Sequence, residues 1–285
     1  MKIRHGDVAL ITGSSRGLGR HIALALAGRG MNVVLAARSQ DGLDTVAAQV
    51  RAATGVTVST VVVDLADRTQ AASLVQRATE VAGPVDVLVN NAGIESTCQP
   101  EEAELDDLGA MTDVNLLAPM LLTRTVLPSM IERGRGHVVN VSSMAGLVVS
   151  PYEEPYSATK AGLIAYTRAL RMTAQDRGWN LSASVICPGF MADEEGMYAD
   201  MQSEFGASAP RSVGDMPAGA VGKAVVDAVE KDLPDVLVMP GAPRVFALAS
   251  IATPRLFERI ARSANLGAPF RTVAEQRSAQ RKAGS

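Results

Sequence analysis

The chain has few of the features that mark secreted or membrane-spanning proteins. Its two cysteines, Cys98 and Cys187, lie far apart and fit neither a CxxC pair nor a disulfide framework. Residues 1–7 are polar and lack the long apolar core and cleavage site of a signal peptide. No apolar run approaches the ~20 residues that are needed to cross a bilayer. We therefore expect a cytoplasmic protein with no transmembrane segment.

Aromatic residues and net positive charge are also scarce. Only 4% of the residues are aromatic, the formal net charge is -3 and the pI is near 5.7. Basic residues do not alternate with aromatic ones, so no nucleic-acid partner is expected. No metal site is predicted either. With 285 residues and a hydrophobic content of 47%, the chain can bury one large core, which favours a single α/β domain.

Seven short runs rich in β-branched residues predict buried strands. They cover residues 8–12, 32–37, 56–63, 85–90, 137–141, 181–187 and 236–239. Stretches with helical spacing lie between them, at 18–27, 43–52, 69–81, 105–130, 157–177 and 218–231. Because alternating strands and helices require crossover connections, we predict a doubly wound Rossmann sheet, mostly parallel and seven-stranded, with helices on both faces. Ligands of such sheets bind beyond the carboxyl ends of the strands.

The predicted catalytic domain covers residues 1–241 and a C-terminal extension covers 242–285. Loop 190–212 carries apolar side chains that predict either a mobile substrate lid or a packed surface helix: Phe190, Met191, Met197, Tyr198, Met201 and Phe205. From Arg244 onward the extension has eight basic and two acidic residues, a net charge of +6 that leaves -9 on the rest. Such an apolar, arginine-rich helix can cap the site, pack on another subunit or lie on an anionic membrane. We favour capping or packing over peripheral membrane contact.

A glycine-rich segment follows the first predicted strand and opens the first predicted helix. It reads Thr12-Gly13-Ser14-Ser15-Arg16-Gly17-Leu18-Gly19. Glycine lets the backbone turn tightly and approach a pyrophosphate, which a helix N-terminus holds with free N–H groups. The alternative is an ordinary strand-to-helix turn. The position between a strand and an amphipathic helix favours dinucleotide binding.

The end of the second predicted strand indicates which dinucleotide binds. A carboxylate there would bind the ribose 2'-hydroxyl, but none occurs before Asp41. Arg38 occupies the place instead and can pair with a 2'-phosphate, and Arg16 can supply a second positive charge. The pair favours NADP(H), with solvated surface charge as the alternative. Asp64 closes the third strand and is either an adenine ligand or a helix cap.

Tyr156 and Lys160 stand four residues apart near the start of a predicted helix, so their side chains project from one face. A nearby ammonium favours the phenolate and should lower the pKa of Tyr156 towards the range useful for acid/base catalysis. Such a pair also arises by chance on surface helices and is weak when taken alone.

Read together, these motifs make the chain resemble the classical short-chain dehydrogenase/reductase family over residues 5–240. The shared motifs occur in the family's order and spacing: the glycine segment, Asn90-Asn91-Ala92-Gly93, Asn115, Val141-Ser142-Ser143, Tyr156-Ser157-Ala158-Thr159-Lys160 and Pro188-Gly189. The resemblance implies that Ser143 holds the substrate oxygen, that Ser142 is structural and that Tyr156 gives or takes a proton. It also implies that Lys160 holds the nicotinamide ribose and that Asn115 anchors a water linking Lys160 to solvent.

The resemblance further implies the cofactor contacts. These are Gly13, Ser15, Arg16, Gly17, Leu18, Gly19, Arg38, Asp64, Leu65, Asn91, Ala92, Gly93, Tyr156, Lys160, Pro188 and Gly189. Where many relatives place a threonine that contacts the nicotinamide amide, this chain has Met191-Ala192-Asp193, and Asp193 can accept that N–H instead. Acidic residues are expected around the mouth of the site and would disfavour acidic acyl carriers: Glu95, Glu153, Glu154, Asp193, Glu194 and Glu195.

We therefore predict an NADP(H)-dependent oxidoreductase that moves a hydride between nicotinamide and the carbonyl or secondary alcohol of a small, moderately hydrophobic substrate. One alternative is a 3-oxoacyl-thioester reductase. Another is a non-catalytic NADP(H)-sensing or scaffolding protein, against which the intact set of Asn115, Ser143, Tyr156 and Lys160 argues. Resembling proteins commonly pair through their long helices, so a homodimer or homotetramer through 105–130 and 157–177 is expected.

Overall fold

The carboxyl ends of seven parallel strands form one edge of a single sheet in the computed structural model, which describes residues 1–211 and 213–284. The strands are β1 (Val8–Thr12), β2 (Asn32–Ala37), β3 (Val58–Val62), β4 (Val87–Asn90), β5 (His137–Val141), β6 (Ser182–Pro188), β7 (Met191–Ala192), β8 (Met216–Pro217) and β9 (Asp235–Val238). The sheet order is β3-β2-β1-β4-β5-β6-β9, and the short strands β7 and β8 pair apart from it. The predicted doubly wound parallel sheet is confirmed.

Eleven α-helices accompany the strands in the described residues. They are α1 (Gly17–Ala27), α2 (Gln40–Thr54), α3 (Arg68–Ala82), α4 (Leu105–Thr112), α5 (Ala118–Glu132), α6 (Glu154–Asp176), α7 (Met197–Phe205), α8 (Gly219–Lys231), α9 (Pro243–Ala252), α10 (Pro254–Ser263) and α11 (Ala268–Gly284). One face of the sheet is covered by α1, α2 and α8, with Ile22 and Leu43 fully buried. The other face is covered by α3, α5 and α6, with Leu74 and Leu122 fully buried.

The strand order reverses beside β1, which positions the ligand crevice. From β1 the chain moves outward to β2 and β3, and then returns to place β4 on the other side of β1. The helices that follow β1 and β4 therefore leave on opposite faces, and a cleft opens between them at the carboxyl ends. The segments that carry most of the candidate site residues follow β1, β4, β5 and β6 and therefore all begin at this edge.

The differences from the sequence prediction are small and local. Strand β3 is shorter than the predicted 56–63, and β4 is shorter than the predicted 85–90. Val63 and Val85 are buried beyond the paired residues, so burial extends further than strand pairing. The predicted helix 105–130 is interrupted by a π turn, Asp113–Leu117, between α4 and α5.

Segment Leu105–Glu132 is, by length and composition, the one helix of the described residues that could span a bilayer. Its inner side is part of the core, because Leu122, Val126 and Met130 pack against the sheet. This burial is typical of a core helix in a Rossmann sheet.

The C-terminal extension forms three helices, α9 to α11. Helix α11 packs on the domain, with Val273 against Phe205 and the Phe270 ring stacked at 6.0 Å on Phe190. The outer sides of α9 and α10 expose large apolar residues: Val245, Leu248, Ile251, Leu256 and Ile260. Packing is thus seen for α11, whereas membrane contact of α9 and α10 stays a prediction. The proposed ranges 190–212 and 242–285 include Ser212 and Ser285, which lie outside the described residues.

Gly222→Ala should destabilise the fold because α1 and α8 touch at this glycine. A Cβ at Gly222 would lie 2.5 Å from the backbone oxygen of His21, which cannot move without shifting α1. We expect the free energy of unfolding to fall by about 1–3 kcal/mol. Urea unfolding measures this free energy, and an unchanged m-value shows that the difference is one of stability.

Gly109→Ala is the matched control within α4. A Cβ there meets no atom of the described chain within 4 Å, so the change should raise helix stability by about 0.5–1 kcal/mol. Equal effects of the two substitutions would contradict the close packing of α1 on α8.

Candidate active site

The glycine segment after β1 leaves no room for a side chain at two of its positions, Gly13 against the end of β4 and Gly19 against the turn itself. The Gly13 backbone has a φ of +64°, and a Cβ there would lie 2.7 Å from Ala92 Cα. A Cβ at Gly19 would lie 2.2 Å from the Gly13 carbonyl oxygen. The Asn91 amide donates to the carbonyl oxygens of Thr12 and Gly13 at 3.0 and 3.1 Å. The turn is therefore fixed by backbone contacts that only glycine permits at these two positions.

The N-terminus of α1 has the properties of an anion site. Arg16 is the N-cap residue of α1 and has an extended backbone. Among the described residues, its side chain makes no capping hydrogen bond, and the first turn of the helix contains no acidic residue. The first amide groups of a helix have no acceptor within the helix. These N–H groups and the positive end of the helix dipole favour a phosphate. The segment therefore fits a dinucleotide pyrophosphate.

The two arginines that the sequence predicts at one phosphate are held differently in the structure. Arg38 follows β2, is exposed and lines the cleft. Arg16 donates from both terminal nitrogens to Asp200 of α7, at 2.9 and 2.6 Å, and this pairing raises the pKa of Arg16. Arg16 thus ties α7 to the glycine segment. Its place beside a 2'-phosphate stays a prediction.

Asp64 forms a turn and does not cap a helix. Its carboxylate accepts a hydrogen bond from the Ala66 amide at 3.0 Å, whereas Asp67 caps α3 through two backbone amides of the first turn. The helix-cap alternative for Asp64 is therefore wrong. Asp64 and Leu65 both line the cleft, and their contact with adenine stays a prediction.

The segment after β6 places Asp193 against α1. Pro188 and Gly189 line the cleft as expected, and the Gly189 amide donates to the Val238 carbonyl oxygen at 2.9 Å. The Asp193 carboxylate, however, is bound by Arg20 at 3.0 Å and lies 3.1 Å from a ring nitrogen of His21, both on α1. Asp193 lines the cleft while it is bound to α1, and its contact with the nicotinamide amide stays a prediction.

Tyr156 and Ser143 both line the cleft, and the Tyr156 side chain is buried. The Ser143 hydroxyl lies close enough to the phenol to favour its ionised form, and it accepts a hydrogen bond from the Ala145 amide at 3.1 Å. The neighbouring Ser142 hydroxyl donates instead to the backbone oxygen of Lys160 at 2.8 Å. The two serines therefore differ as predicted: Ser142 joins β5 to α6, and Ser143 faces the phenol.

Lys160 lies beneath the same phenol. Its ammonium donates to the Val141 carbonyl oxygen at 3.1 Å and lies 5.6 Å from the centroid of the Tyr156 ring. Burial lowers the pKa of Lys160 to about 8. Burial, followed by the charge of Glu153, raises the pKa of Tyr156 above its ordinary value. The prediction that the Lys160 ammonium lowers the pKa of Tyr156 is therefore wrong for the protein without a bound ligand. Loss of solvation raises this pKa by more than the nearby cation lowers it.

Asn115 lies in the π turn between α4 and α5. Its side-chain nitrogen donates to the Ile94 carbonyl oxygen at 2.8 Å, and its side-chain oxygen accepts from the Ile94 backbone amide at 2.9 Å. A Cβ added at Gly93 would lie 3.2 Å from Lys160 Nζ and 3.4 Å from Asn115 Oδ1. Lys160 and Asn115 therefore face the same small space beside Gly93. The sequence did not predict the interruption of the helix that allows this.

Half of the predicted acidic mouth is paired or buried. Glu95 accepts a hydrogen bond from Arg277 of α11 at 2.8 Å, and the two form an ion pair. Asp193 is paired with Arg20. Glu153 is buried, and burial raises its pKa to about 8. The expectation of repulsion at the mouth is corrected because three of its six carboxyl groups are paired or buried.

The cleft has a volume of about 1940 Å³ and combines the nucleotide end with a second, apolar compartment. Single ligands occupy pockets of roughly 300–1,000 Å³, so this cleft has room for a dinucleotide together with a substrate. Aromatic rings from the lid and the extension line its outer part: Phe190, Tyr198, Phe246, Phe257 and Phe270. The contributions of α9 to α11 were missed because the extension lies outside the motifs of the resemblance.

Comparison with known proteins gives one consistent result. The model of the short chain dehydrogenase family matches residues 7–204. Ketoacyl reductase HetN from Nostoc sp. is 41% identical over 233 residues, covering 82% of this chain and 78% of that protein. A 3-oxoacyl-(acyl-carrier-protein) reductase from Synechocystis sp. is 36% identical over 189 residues, covering 66% of this chain and 75% of that protein. The structure of a metagenomic short-chain oxidoreductase in complex with NADP is 28% identical with a TM-score of 0.70, covering 83% of this chain and 98% of that one.

The chain belongs to the short-chain dehydrogenase/reductase family and is an oxidoreductase with the Rossmann fold of that family. The assignment made from the sequence motifs is confirmed.

Glu153→Gln should stabilise the protein increasingly as the pH rises. The pKa of Glu153 is raised from 4.5 to about 8, so the folded chain holds a proton that the unfolded chain releases within that window. The wild-type free energy of unfolding therefore falls between pH 5 and pH 8, by on the order of 3 kcal/mol, and the substitution removes this loss. Urea unfolding at both pH values measures the difference.

Glu154→Gln is the control, since it removes an exposed carboxylate at the next position. It should change the pH dependence far less than Glu153→Gln does, because Glu154 is the smallest of the influences that raise the pKa of Glu153. A Glu153→Gln variant with the same pH dependence as the wild type would contradict a buried, protonated Glu153.

Proposed function

We propose that this oxidoreductase uses NADP(H) in the cytoplasm to reduce a ketone or aldehyde, or to oxidise the matching alcohol, on a small and moderately hydrophobic substrate. The observation that carries the proposal is the proximity of the Ser143 and Tyr156 hydroxyl groups, which line the same cleft as the glycine segment. Two preformed hydroxyl donors at one point suit an oxygen that gains negative charge during hydride transfer.

The protein groups have distinct parts in this reaction. The dinucleotide, when bound, supplies or accepts the hydride. The Ser143 hydroxyl holds the substrate oxygen and orients the carbonyl. The Tyr156 hydroxyl donates its proton to that oxygen during reduction and receives it during oxidation. Since both hydroxyls are fixed before substrate arrives, little reorganisation accompanies the chemical step.

Lys160 and Asn115 support the proton transfer. With its pKa lowered to about 8, Lys160 exchanges a proton near neutral pH more readily than an exposed lysine does. Asn115 faces the same space beside Gly93 and would hold a water that links Lys160 to solvent. Lys160 would also bind the ribose hydroxyls of the nicotinamide. Tyr156 could then regain its proton without opening the site.

The residues present fit a bound dinucleotide. The pyrophosphate would lie on the glycine segment at the N-terminus of α1, and the adenosine would lie against Asp64, Leu65 and the segment Asn91-Ala92-Gly93. Arg38 would select NADP(H) through the 2'-phosphate. The NADP complex of the similar metagenomic oxidoreductase supports this choice.

A 3-oxoacyl-thioester reductase is the second candidate, and one structural observation favours it. Three of the six carboxyl groups that argued against anionic acyl carriers are paired or buried. HetN is named a ketoacyl reductase, and the Synechocystis relative acts on 3-oxoacyl groups by its name. The rate of NADPH oxidation can be measured with simple ketones and with 3-oxoacyl thioesters at equal concentrations. The class of substrate that gives the higher rate decides between the two candidates.

Oligomerisation through the long helices stays part of the proposal. Met172 on α6 and Leu105 at the start of α4 are large apolar residues that the single chain leaves exposed. A homodimer or homotetramer would cover them. Light scattering after size exclusion measures the mass, and a monomer at micromolar concentration would refute this part.

Tyr156→Phe should abolish turnover while the protein still binds NADPH. Loss of the hydroxyl removes the proton donor, so kcat should fall by at least ~100-fold. NADPH affinity, followed by fluorescence titration, should change by less than about two-fold because the phenol oxygen is not needed for the pyrophosphate contacts. Tyr166→Phe, on the same helix, is the control and should keep wild-type activity. Unchanged function of Tyr156→Phe would favour the non-catalytic sensing or scaffolding alternative.

Arg38→Asp should reverse the preference between the two dinucleotides. A carboxylate repels a 2'-phosphate and accepts hydrogen bonds from a 2'-hydroxyl, so NADPH affinity should fall by at least ~10-fold more than NADH affinity. Dissociation constants for both, measured by fluorescence titration, test this. Arg259→Asp on α10 makes the same charge change at an exposed position outside the cleft and should affect neither. Equal losses for both dinucleotides would show that Arg38 does not contact the phosphate.

A further inference from the structure

A buried polar network lies between the extension and Tyr156. The Arg277 guanidinium donates to the Glu95 carboxylate at 2.8 and 3.3 Å and to the Thr97 carbonyl oxygen at 3.1 Å. Glu95 also accepts from the Thr97 amide and the Thr97 hydroxyl, both at 2.7 Å. The Thr97 hydroxyl lies 3.5 Å from the Glu153 carboxyl, three residues before Tyr156. The network thus connects α11 to the start of α6.

The hydrogens of this network can be counted. A threonine hydroxyl has one hydrogen, and the shorter contact assigns it to Glu95. Towards Glu153, the Thr97 oxygen therefore offers only lone pairs. A carboxylate cannot bond to lone pairs, whereas a protonated carboxyl can donate to them. The arrangement suits a Glu95 that is ionised by Arg277 and a Glu153 that is neutral.

Burial supports the same assignment. Thr97 is 1% exposed and Glu153 is 6% exposed, so a second negative charge beside Glu95 would be poorly solvated. Burial and the neighbouring Glu95 raise the pKa of Glu153 to about 8. The pKa of Glu95 is lowered by Arg277 and by Thr97, against the effect of its burial.

We propose that Arg277 is a positioning residue of the active site, which holds Glu95 and Thr97 so that Glu153 stays neutral and Tyr156 can ionise at working pH. This inference rests on the proposed role of Tyr156 in proton transfer. An ionised Glu153 would oppose the phenolate one helical turn away, and the neutral acid removes that repulsion. Arg277 acts at a distance through the network and does not touch the reacting atoms.

The titratable groups around Tyr156 come from three elements: α6, the loop after β4, and β6. Glu153 precedes it at the start of α6, Lys160 follows on the same helix, and Glu95 faces it from the loop after β4. Cys187 on β6 is neutral near pH 7, because burial raises its pKa to about 12. Glu154 faces Glu153 and raises the pKa of that carboxyl. Of these, only Glu95 is paired by a residue of the extension.

The position of Arg277 is itself well defined. Its guanidinium lies 5.1 Å from the centroid of the Phe205 ring, a cation–π contact with α7. The next residue, Ser278, donates to Glu102 at 2.9 Å. These contacts hold α11 against the mouth of the cleft, so the Arg277 guanidinium lies at a fixed distance from Glu95.

The pH dependence of kcat for alcohol oxidation tests the proposal, because Tyr156 must accept a proton in that direction. Glu153→Gln should move the rising limb of the profile to lower pH by ~0.5 unit or more, since no carboxylate can form there. Arg277→Met should move it to higher pH by a similar amount, since the negative charge shared by Glu95 and Glu153 then has no partner, whichever of the two carboxyl groups carries it. Arg277→Lys should stay close to the wild type.

Two further variants separate charge from folding. Arg281→Met removes a neighbouring arginine of α11 that contacts Glu102 and should leave the profile unchanged. Glu95→Gln combined with Arg277→Met removes both charges of the pair and should return the profile to that of the wild type. Shifts of the two single variants in the same direction, or no shift in Glu153→Gln, would overturn the proposal.

Infrared spectroscopy tests the neutral Glu153 without any turnover. At pH 6.5 the wild type should show a buried carboxylic-acid carbonyl band that is absent in Glu153→Gln and present in Glu154→Gln. Absence of this band from the wild type overturns the inference on its own. A wild type that has the band but oxidises no alcohol refutes the proposed function while the protonation of Glu153 stands.

Discussion

The site depends on keeping the Tyr156 hydroxyl out of water beside a buried ammonium. Burial makes the phenol hold its proton more strongly, and the same low-dielectric surroundings strengthen every nearby charge. Ser143 and Glu153 both affect the ionisation of this hydroxyl, and Lys160 lies beneath the same ring. The reversal of strand order beside β1 brings the segments after β1, β4, β5 and β6 to that point. Fold and chemistry therefore meet at a single constraint, which is the ionisation of one hydroxyl.

Much of the fold could be predicted because its signals are local. Strands β1, β2 and β5 have the bounds that their β-branched runs predict, since buried parallel strands are apolar on both faces. The glycine segment and the Tyr156-Lys160 spacing are also local patterns. Ser142 and Ser143 could be distinguished only through the family resemblance, and the structure shows them in different hydrogen bonds.

The rest could not be predicted, because it depends on pairs that are distant in sequence. Arg16 binds Asp200, Asp193 binds Arg20, and Arg277 binds Glu95, each across more than 170 residues. Counting charges in the loops therefore overestimated the negative charge of the mouth. Part of the +6 charge of the extension is used within the molecule, where Arg281 and Arg277 contact acidic loops. The direction of the Tyr156 pKa shift was missed for a similar reason, since spacing reveals the ammonium but not the loss of solvent.

The bond between Arg16 and Asp200 links two events that are usually considered apart. Arg16 has a single guanidinium group, and both of its terminal nitrogens donate hydrogen bonds to Asp200 of α7. Any phosphate that recruits this group at the glycine segment must compete with α7 for it. By thermodynamic reciprocity, whatever loosens α7 then strengthens the hold of Arg16 on that phosphate, and a departing phosphate returns the group to α7. If Arg16 binds the proposed dinucleotide, this one side chain couples the affinity for that ligand to the position of α7 at the substrate compartment.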